Sequence, residues 1–244
     1  MLKKGYYDIH AHIIPGVDDG ARDVQEALEL IKMDIQQGVG TIIATPHAGA
    51  FLEDYRHTLR RCWELLSAVN ASGLDIKIMF GTEIRAYSEN IDYIISLLNS
   101  DRLPTLNDSG YVLIEFPFWD GSFDDILFCI DKLIAGGYKP IVAHAERCGT
   151  YLTIEDIRVI VEHGAKIQIN LSDVTQEGDM PEWRDLCRTM LKEELVTFVG
   201  TDMHNTGRRY PKVTEAVEYM YENLREEYVD EILKNNAEKM LLTR

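Results

Sequence analysis

The chain has 244 residues, 25 basic and 41 acidic, giving a formal net charge of −16, with 45% hydrophobic and 9% aromatic content. Those fractions are ordinary for a folded protein, and a chain of this length can build a core without disulfide or metal staples. The acidic balance repels nucleic-acid phosphates and anionic lipids, so neither is an expected partner.

No run of roughly 18 apolar residues occurs, so no membrane-spanning helix is expected. The opening MLKKGYYDIHAH has no apolar signal core. Cys62, Cys129, Cys148 and Cys187 lie too far apart to make a Cys-x-x-Cys site and are expected as reduced thiols of a cytoplasmic protein. None is followed six positions later by Arg, so the cysteine-nucleophile phosphatase signature is missing.

In chain order, short β-rich apolar runs alternate with stretches of helical periodicity. Tyr6–Ile9 is the first strand candidate. In the helix that follows, Val24, Ala27, Leu28, Ile31 and Ile35 step by three and four; Asp23 can cap its start and Gly38 follows its end. Thr41–Ala44 then precedes a helical pattern at about Asp54–Asn70, and Ile76–Phe80 precedes Asn90–Asn99. Tyr111–Glu115 leads to Phe123–Ile134, and Ile141–Ala143 to Ile154–His163. Lys166–Asn170 leads to Glu182–Lys192, and Val196–Val199 to a helical run from Pro211 onward. Seven strand–helix units predict a mostly parallel sheet with helices outside it. No linker, composition break or repeat divides them, so one domain over 1–244 is expected. Periodicity alone fits an open sheet and a closed barrel equally.

Chemistry follows the strands. His10 and His12 come after the first, His47 after the second and Glu83 after the third; Glu115 ends the fourth, His144 follows the fifth, and Asp202 and His204 follow the seventh. In parallel α/β folds the C-terminal strand ends share one face, where active sites are built. Residues two apart on a strand can face the same way, which suits His10 with His12 and Asp202 with His204. Asp18 and Asp19, in the loop past the first pair, can add an oxygen ligand. A lone His-x-His is a weak signal, but five of the seven histidines stand at strand ends; His57 and His163 fall in helical stretches and read as structural.

One catalytic zinc needs about three protein ligands and an open position. The candidates His10, His12, Asp19, His47, Glu83, Glu115, His144, Asp202 and His204 exceed that, which suits two or three ions bridged by carboxylates. Imidazole with carboxylate favours Mn, Fe or Zn, and clustered ions serve the in-line displacement of phosphoester hydrolysis. Arg147, three residues after His144, and Arg208, four after His204, are the expected phosphate clamps. Arg85 and Arg209 are weaker candidates.

Asp-Ile-His-Ala-His, Val-Asp-Asp-Gly-Ala, Thr-Pro-His, Gly-Thr-Glu-Ile-Arg, Ala-His-Ala-Glu-Arg and Thr-Asp-Met-His-Asn span nearly the whole chain. Together they resemble the polymerase-and-histidinol-phosphatase (PHP) superfamily. Within it they are most similar to the bacterial manganese-dependent tyrosine-protein phosphatases of capsular and exopolysaccharide synthesis. The resemblance implies an α/β fold, a distorted seven-stranded (β/α)7 barrel with a trinuclear metal site at the C-terminal strand ends. His10, His12, Glu83 and Asp202 would hold one ion; Glu83, Glu115 and His144 a second; Asp19, His47 and His204 a third. The chain departs from the family pattern at Ala48, Ala145 and Cys148, none of them a predicted ligand.

On this reading three divalent ions, manganese foremost, serve hydrolysis of phosphotyrosine by a metal-bridging hydroxide, with Phe51 and Tyr55 as possible walls for the ring. The implied partner is a bacterial tyrosine kinase with a Tyr-rich tail. Alternatives are a small-molecule phosphomonoesterase such as histidinol phosphatase, a proofreading nuclease disfavoured by the acidic surface, and a binding module with a degenerate site, disfavoured by the intact ligand set. The acidic stretch Glu222–Glu231 reads as a solvated face.

Overall fold

Strands and helices alternate along residues 5–175 and 180–242, which the computed structural model describes. The first half runs β1 (Tyr6–Ala11), α1 (Val24–Gln36), β2 (Val39–Ala44), α2 (Ala48–Ser72), β3 (Lys77–Phe80), β4 (Glu83–Arg85) and α3 (Ile91–Asn99). Next come β5 (Tyr111–Glu115), α4 (Phe123–Ala135), β6 (Lys139–Val142), α5 (Ile154–Glu162), β7 (Lys166–Asn170), α6 (Leu171–Thr175), α7 (Pro181–Lys192) and β8 (Phe198–Gly200). Helices α8 (Thr214–Asn223), α9 (Glu226–Asp230) and α10 (Asn236–Leu242) close the described chain, with a π-helical turn between the last two.

All the strand pairings are parallel, in the orders β1–β2–β3 and β4–β5–β6–β7–β8. Two isolated bridges tie these sheets together, Ala11 with Met203 and His47 with Glu83. Parallel neighbours require long crossovers, and most of the helices serve as those crossovers.

The third predicted strand, Ile76–Phe80, is β3, and a short strand that the periodicity did not mark, β4, follows it, making eight among the described residues. The chain breaks at Gly81, whose N–H bonds to Ala44 O at 2.9 Å, and Glu83 N–H then bonds to Pro46 O at 3.1 Å. A Cβ at Gly81 would stand 2.5 Å from a Leu106 methyl, so only glycine passes here. As a result β3 pairs with β2, while β4 pairs with β5.

Helices α1, α4 and α5 begin where short polar side chains accept backbone N–H groups. Asp23 accepts from Glu26 N, Ser122 from Asp125 N, and Thr153 forms a reciprocal box with Asp156. Helix α2 starts six residues before its predicted start at Asp54, directly after His47. Asp54 is non-helical inside it (φ −149°) and caps the second segment through His57 N at 2.9 Å.

Ile9, Ile43, Met79, Leu113, Ile141 and Phe198 form an inner cluster, closed by Ala237 and Met240 of α10. The larger core lies between strands and helices. Burying each such Ile or Leu stabilises the fold by about 1.5–3 kcal/mol. All four cysteines are free and buried. No helix among the described residues is long and apolar enough to cross a membrane.

Candidate metal centre

The centre begins with an irregularity in β1. Ile9 belongs to the inner cluster, yet Ala11 packs in the outer core, although residues two apart in a regular strand share a face. The register with β2 shifts between Asp8 and Ala11, and such a shift re-aims the end of a strand. His10 and His12 are thereby both fully buried, with their Nε2 atoms 3.3 Å apart. Asp8 fixes the bend: its carboxylate accepts the N–H of His10 at 3.1 Å, the N–H of Thr201 at 2.9 Å and the Thr201 hydroxyl at 2.5 Å. Gly200 lets β8 come close, since a Cβ there would stand 2.6 Å from the His10 Cβ.

Glu83, at the start of β4, occupies the middle of the cluster. Its Oε1 lies 3.2 Å from His10 Nε2 and 2.9 Å from His144 Nε2; its Oε2 lies 3.2 Å from His12 Nε2 and 3.0 Å from His47 Nδ1. Asp202 Oδ1 is 3.6 Å from the Nε2 of both His10 and His12. On the outer side, Asp19 Oδ1 is 3.3 Å from His47 Nε2 and 3.4 Å from His204 Nε2. Glu115 completes the set, 3.8 Å from His47 Nδ1 and 4.0 Å from His144 Nε2. All nine residues singled out in the sequence are brought together here. Their donor atoms form four groups, each within 4.8 Å: His12, Asp19, His47 and His204; His10, Glu83 and His144; His10, His12 and Asp202; His47, Glu83 and Glu115.

Residues behind the cluster aim these donors. Asp18 Oδ2 lies 2.8 Å from His12 Nδ1, Gln168 Oε1 lies 3.1 Å from His10 Nδ1, and the Asp202 carbonyl lies 2.8 Å from His204 Nδ1. An acceptor on one ring nitrogen holds the proton there and turns the other nitrogen's lone pair inward. Gln168 also accepts His144 N–H at 2.9 Å, and Asn170 donates to Asp202 Oδ2 at 2.9 Å. His144 (φ +31°) and Asp202 (φ +52°) both occupy the left-handed region, a strain of about 1–3 kcal/mol each that clusters at functional positions.

The charges are strongly coupled. Burial opposes charge on His10, His12 and His47, but Glu83 and, for His12, Asp18 prevail and raise all three, His12 well above the usual histidine value. The converse holds for Glu83 and Asp202, where burial is overcome by His10 and its neighbours and both carboxyls are lowered. His204 is pushed down to about 4 by burial and then by His12. Glu115 is raised by burial and by Glu83.

The donor set fits divalent cations. It offers imidazole nitrogen and carboxylate oxygen without thiolate, as Mn, Fe and Zn accept. Glu83 Oε2 and His204 Nε2 are buried inside it without a well-directed hydrogen bond among the described residues, although His12, His47 and Asp19 stand 3.0 to 3.4 Å away; donor atoms packed so closely suit a shared cation.

Two arginines border the cluster. Arg147 Nη1 is 3.0 Å from Asp202 Oδ2, and Arg209 Nη2 is 3.0 Å from Oδ1 and 2.9 Å from Oδ2 of the same carboxylate. The sequence favoured Arg208 over Arg209, whereas in the structure Arg209 is the one that contacts the cluster. Arg208 is exposed, and its backbone N–H donates to Asn205 Oδ1 at 3.0 Å, the turn that sends its neighbour inward. Arg85 reaches only to 3.9 Å from Glu115 Oε1.

The family model for capsular polysaccharide synthesis proteins CpsB/CapC matches residues 6–242. This chain belongs to the CpsB/CapC family. The tyrosine-protein phosphatase CpsB of Streptococcus agalactiae serotype III is 29% identical to it, over 96% of this chain and 97% of that relative. The tyrosine-protein phosphatase YwqE of Bacillus subtilis is 30% identical, over 96% and 91%. A crystal structure from work on YwqE of B. subtilis and CpsB of Streptococcus pneumoniae, described as unique metal-dependent tyrosine phosphatases, superposes with a TM-score of 0.82 at 28% identity, covering 98% of this chain and 95% of that one. A Mycoplasma synoviae amidohydrolase shares the fold alone, with a TM-score of 0.60 at 14% identity over 97% and 87%.

In this CpsB/CapC chain, sequence reasoning missed Gln168 and Asn170. They lie on the strand that ends in no histidine or carboxylate, and that gap was the signal available. Asp18 was noted only as an alternative ligand, whereas it orients His12. Phe51 is 2% exposed in the core, and the Tyr55 hydroxyl donates to Asp101 O at 3.4 Å. His163 pairs with Asp131 at 3.0 Å, outside the cluster.

Proposed function

We propose that this chain is a metal-dependent protein-tyrosine phosphatase whose site residues are His10, His12, Asp19, His47, Glu83, Glu115, His144, Asp202 and His204 as metal ligands, with Arg147 and Arg209 as phosphate clamps. The observation that carries the reading is Glu83, one buried carboxylate meeting four imidazoles. The tyrosine-protein phosphatases among its relatives support the substrate class. The proposal includes three divalent ions, manganese foremost, and a cytoplasmic enzyme acting on a bacterial tyrosine kinase that controls capsule or exopolysaccharide synthesis. It also treats 1–244 as one domain, a distorted (β/α)7 barrel in which β3 and β4 share a single position.

Bound divalent ions supply an activated water and neutralise phosphate charge. The chain's own residues do the rest. Asp18 and Gln168 keep protons on the Nδ1 atoms of His12 and His10, leaving their Nε2 lone pairs free for coordination. Arg147 and Arg209 carry forked N–H donors matched to phosphate oxygens. Both stand against Asp202, so they can orient the ester and stabilise charge on its equatorial oxygens. Asp202 and Asp173 hold the Arg147 guanidinium charged against the cost of its burial.

Turnover of a phosphotyrosine peptide, histidinol phosphate and single-stranded DNA, compared with Mn present, tests the assignment. The peptide is expected to be preferred, and His144→Ala or Asp202→Asn to abolish its hydrolysis. Unchanged turnover in those variants, or a preference for either other substrate, would overturn it.

A further inference from the structure

Three aromatic rings stand on one side of the mouth of the metal centre. Phe118, on the loop leaving β5, meets the His144 ring edge-on at 5.2 Å between centroids and lies 6.2 Å from Trp183 at the start of α7. Trp119 lies 6.1 Å from Trp183 and is 63% exposed. The Arg147 guanidinium links the rings to the cluster. Its carbon is 5.8 Å from the Phe118 centroid and 5.6 Å from that of Trp183, while its Nη1 reaches Asp202 at 3.0 Å.

The loop is held in place from below. The Tyr151 hydroxyl donates to Pro117 O at 2.8 Å, and the Thr150 hydroxyl donates to Phe118 O. Both donors lie just past His144 and Arg147, so the segment that carries the candidate ligand and the clamp also positions the aromatic loop. The Trp183 indole N–H has no acceptor among the described residues, so its own hydrogen bonding does not explain where that ring sits. An exposed indole, Trp119, next to rings that themselves lie beside the Arg147 guanidinium is a surface suited to a flat, apolar group attached to an anion.

We propose that Phe118, Trp119 and Trp183 form a ring-binding wall that selects aryl over alkyl phosphate monoesters. The phenyl ring of the ester lies against the indoles while its phosphate passes Arg147 into the cluster. This rests on the phosphatase reading and extends it to the leaving group. A serine phosphate, with one carbon between oxygen and backbone, offers no ring to this wall. Each aromatic contact is worth roughly two- to tenfold in affinity.

The test is calorimetric titration of the Mn-saturated protein with phenylphosphonate and with methylphosphonate, neither of which is a hydrolysable ester. The wild type is expected to bind phenylphosphonate roughly tenfold more tightly. In Trp119→Ala/Trp183→Ala the two should bind alike, with circular dichroism of the Mn-loaded protein as the check on folding. Trp119→Ala alone, at an exposed position, should lose part of the preference, and Trp183→Phe should keep most of it. Equal binding by the wild type, a preference that survives in the double variant, or an equal loss for both probes would overturn the wall. Absent turnover with the preference intact would count against the phosphatase reading alone.

Discussion

Glu83→Gln removes one charge from the middle of the cluster while keeping the shape of the side chain. The carboxylate lies within 2.9 to 3.2 Å of His10, His12, His47 and His144. Breaking a buried ion pair costs about 3–5 kcal/mol, and 3 kcal/mol corresponds to roughly 6–12 °C in a chain of this size. The loss depends on pH. The lowered carboxyl of Glu83 contributes stability above its unfolded value of about 4.3 and loses it as pH falls through the folded value. The raised imidazoles of His10, His12 and His47 contribute fully below about 6.5 and lose their contribution as pH rises through their folded values. Near pH 6 both contributions are present in the metal-free protein, so the substitution costs most there. As pH rises through the folded values of these imidazoles they lose their protons, Glu83 becomes a buried anion with fewer cations, and the cost shrinks. Calorimetric melting of chelator-treated wild type and variant near pH 6 and near pH 9, then with excess Mn, measures this. The expected result is a loss of roughly 6–12 °C near pH 6, a smaller one near pH 9, and a full difference restored by Mn. Equal losses at both pH values without metal, or equal stabilisation of both proteins by Mn, would refute the reasoning.

Gly200→Ala drives a methyl into the His10 Cβ at 2.6 Å; it should cost about 1–3 kcal/mol in a denaturant titration and weaken Mn binding. Gln168→Ala removes the acceptor at His10 Nδ1 and His144 N, and Mn affinity by calorimetry should fall about 10- to 100-fold. Arg209→Ala should raise KM for a phosphotyrosine peptide roughly tenfold or more, since a charged hydrogen bond is worth about 1.5–3 kcal/mol. Arg208→Ala should stay within about twofold, because that side chain is exposed; the reverse ranking would return the clamp to Arg208.

The cluster was legible because all of its members but Asp19 stand at or just past the end of an apolar run, and parallel topology collects such ends on one face. The parallel, alternating fold was legible for the same reason, from the change between two-residue and 3.6-residue periods. What failed was local. Nothing in the periodicity marks the break at Gly81, where the neighbour that leaves no room for a side chain is Leu106, a residue remote in sequence. Arg208 and Arg209 are adjacent, and only the turn held by Asn205 Oδ1 decides which one faces the cluster. Gln168 and Asn170 carry no charge, and their part depends on neighbours from β1, from the turn after β6 and from the segment after β8 that the sequence does not bring together.

Asp8 and Thr201, which lock β1 to β8, stand 193 positions apart, and His10 O receives the N–H of Asp202 at 2.8 Å. The candidate ligands near residues 10 and 202 therefore meet through contacts remote in sequence, the kind that form late and slowly. A nascent chain that stops short of β8 displays His10 and His12 with no Asp202 or His204 to converge on. Capturing the full complement of cations then requires β8 to close against β1, and occupancy of the centre reports that closure.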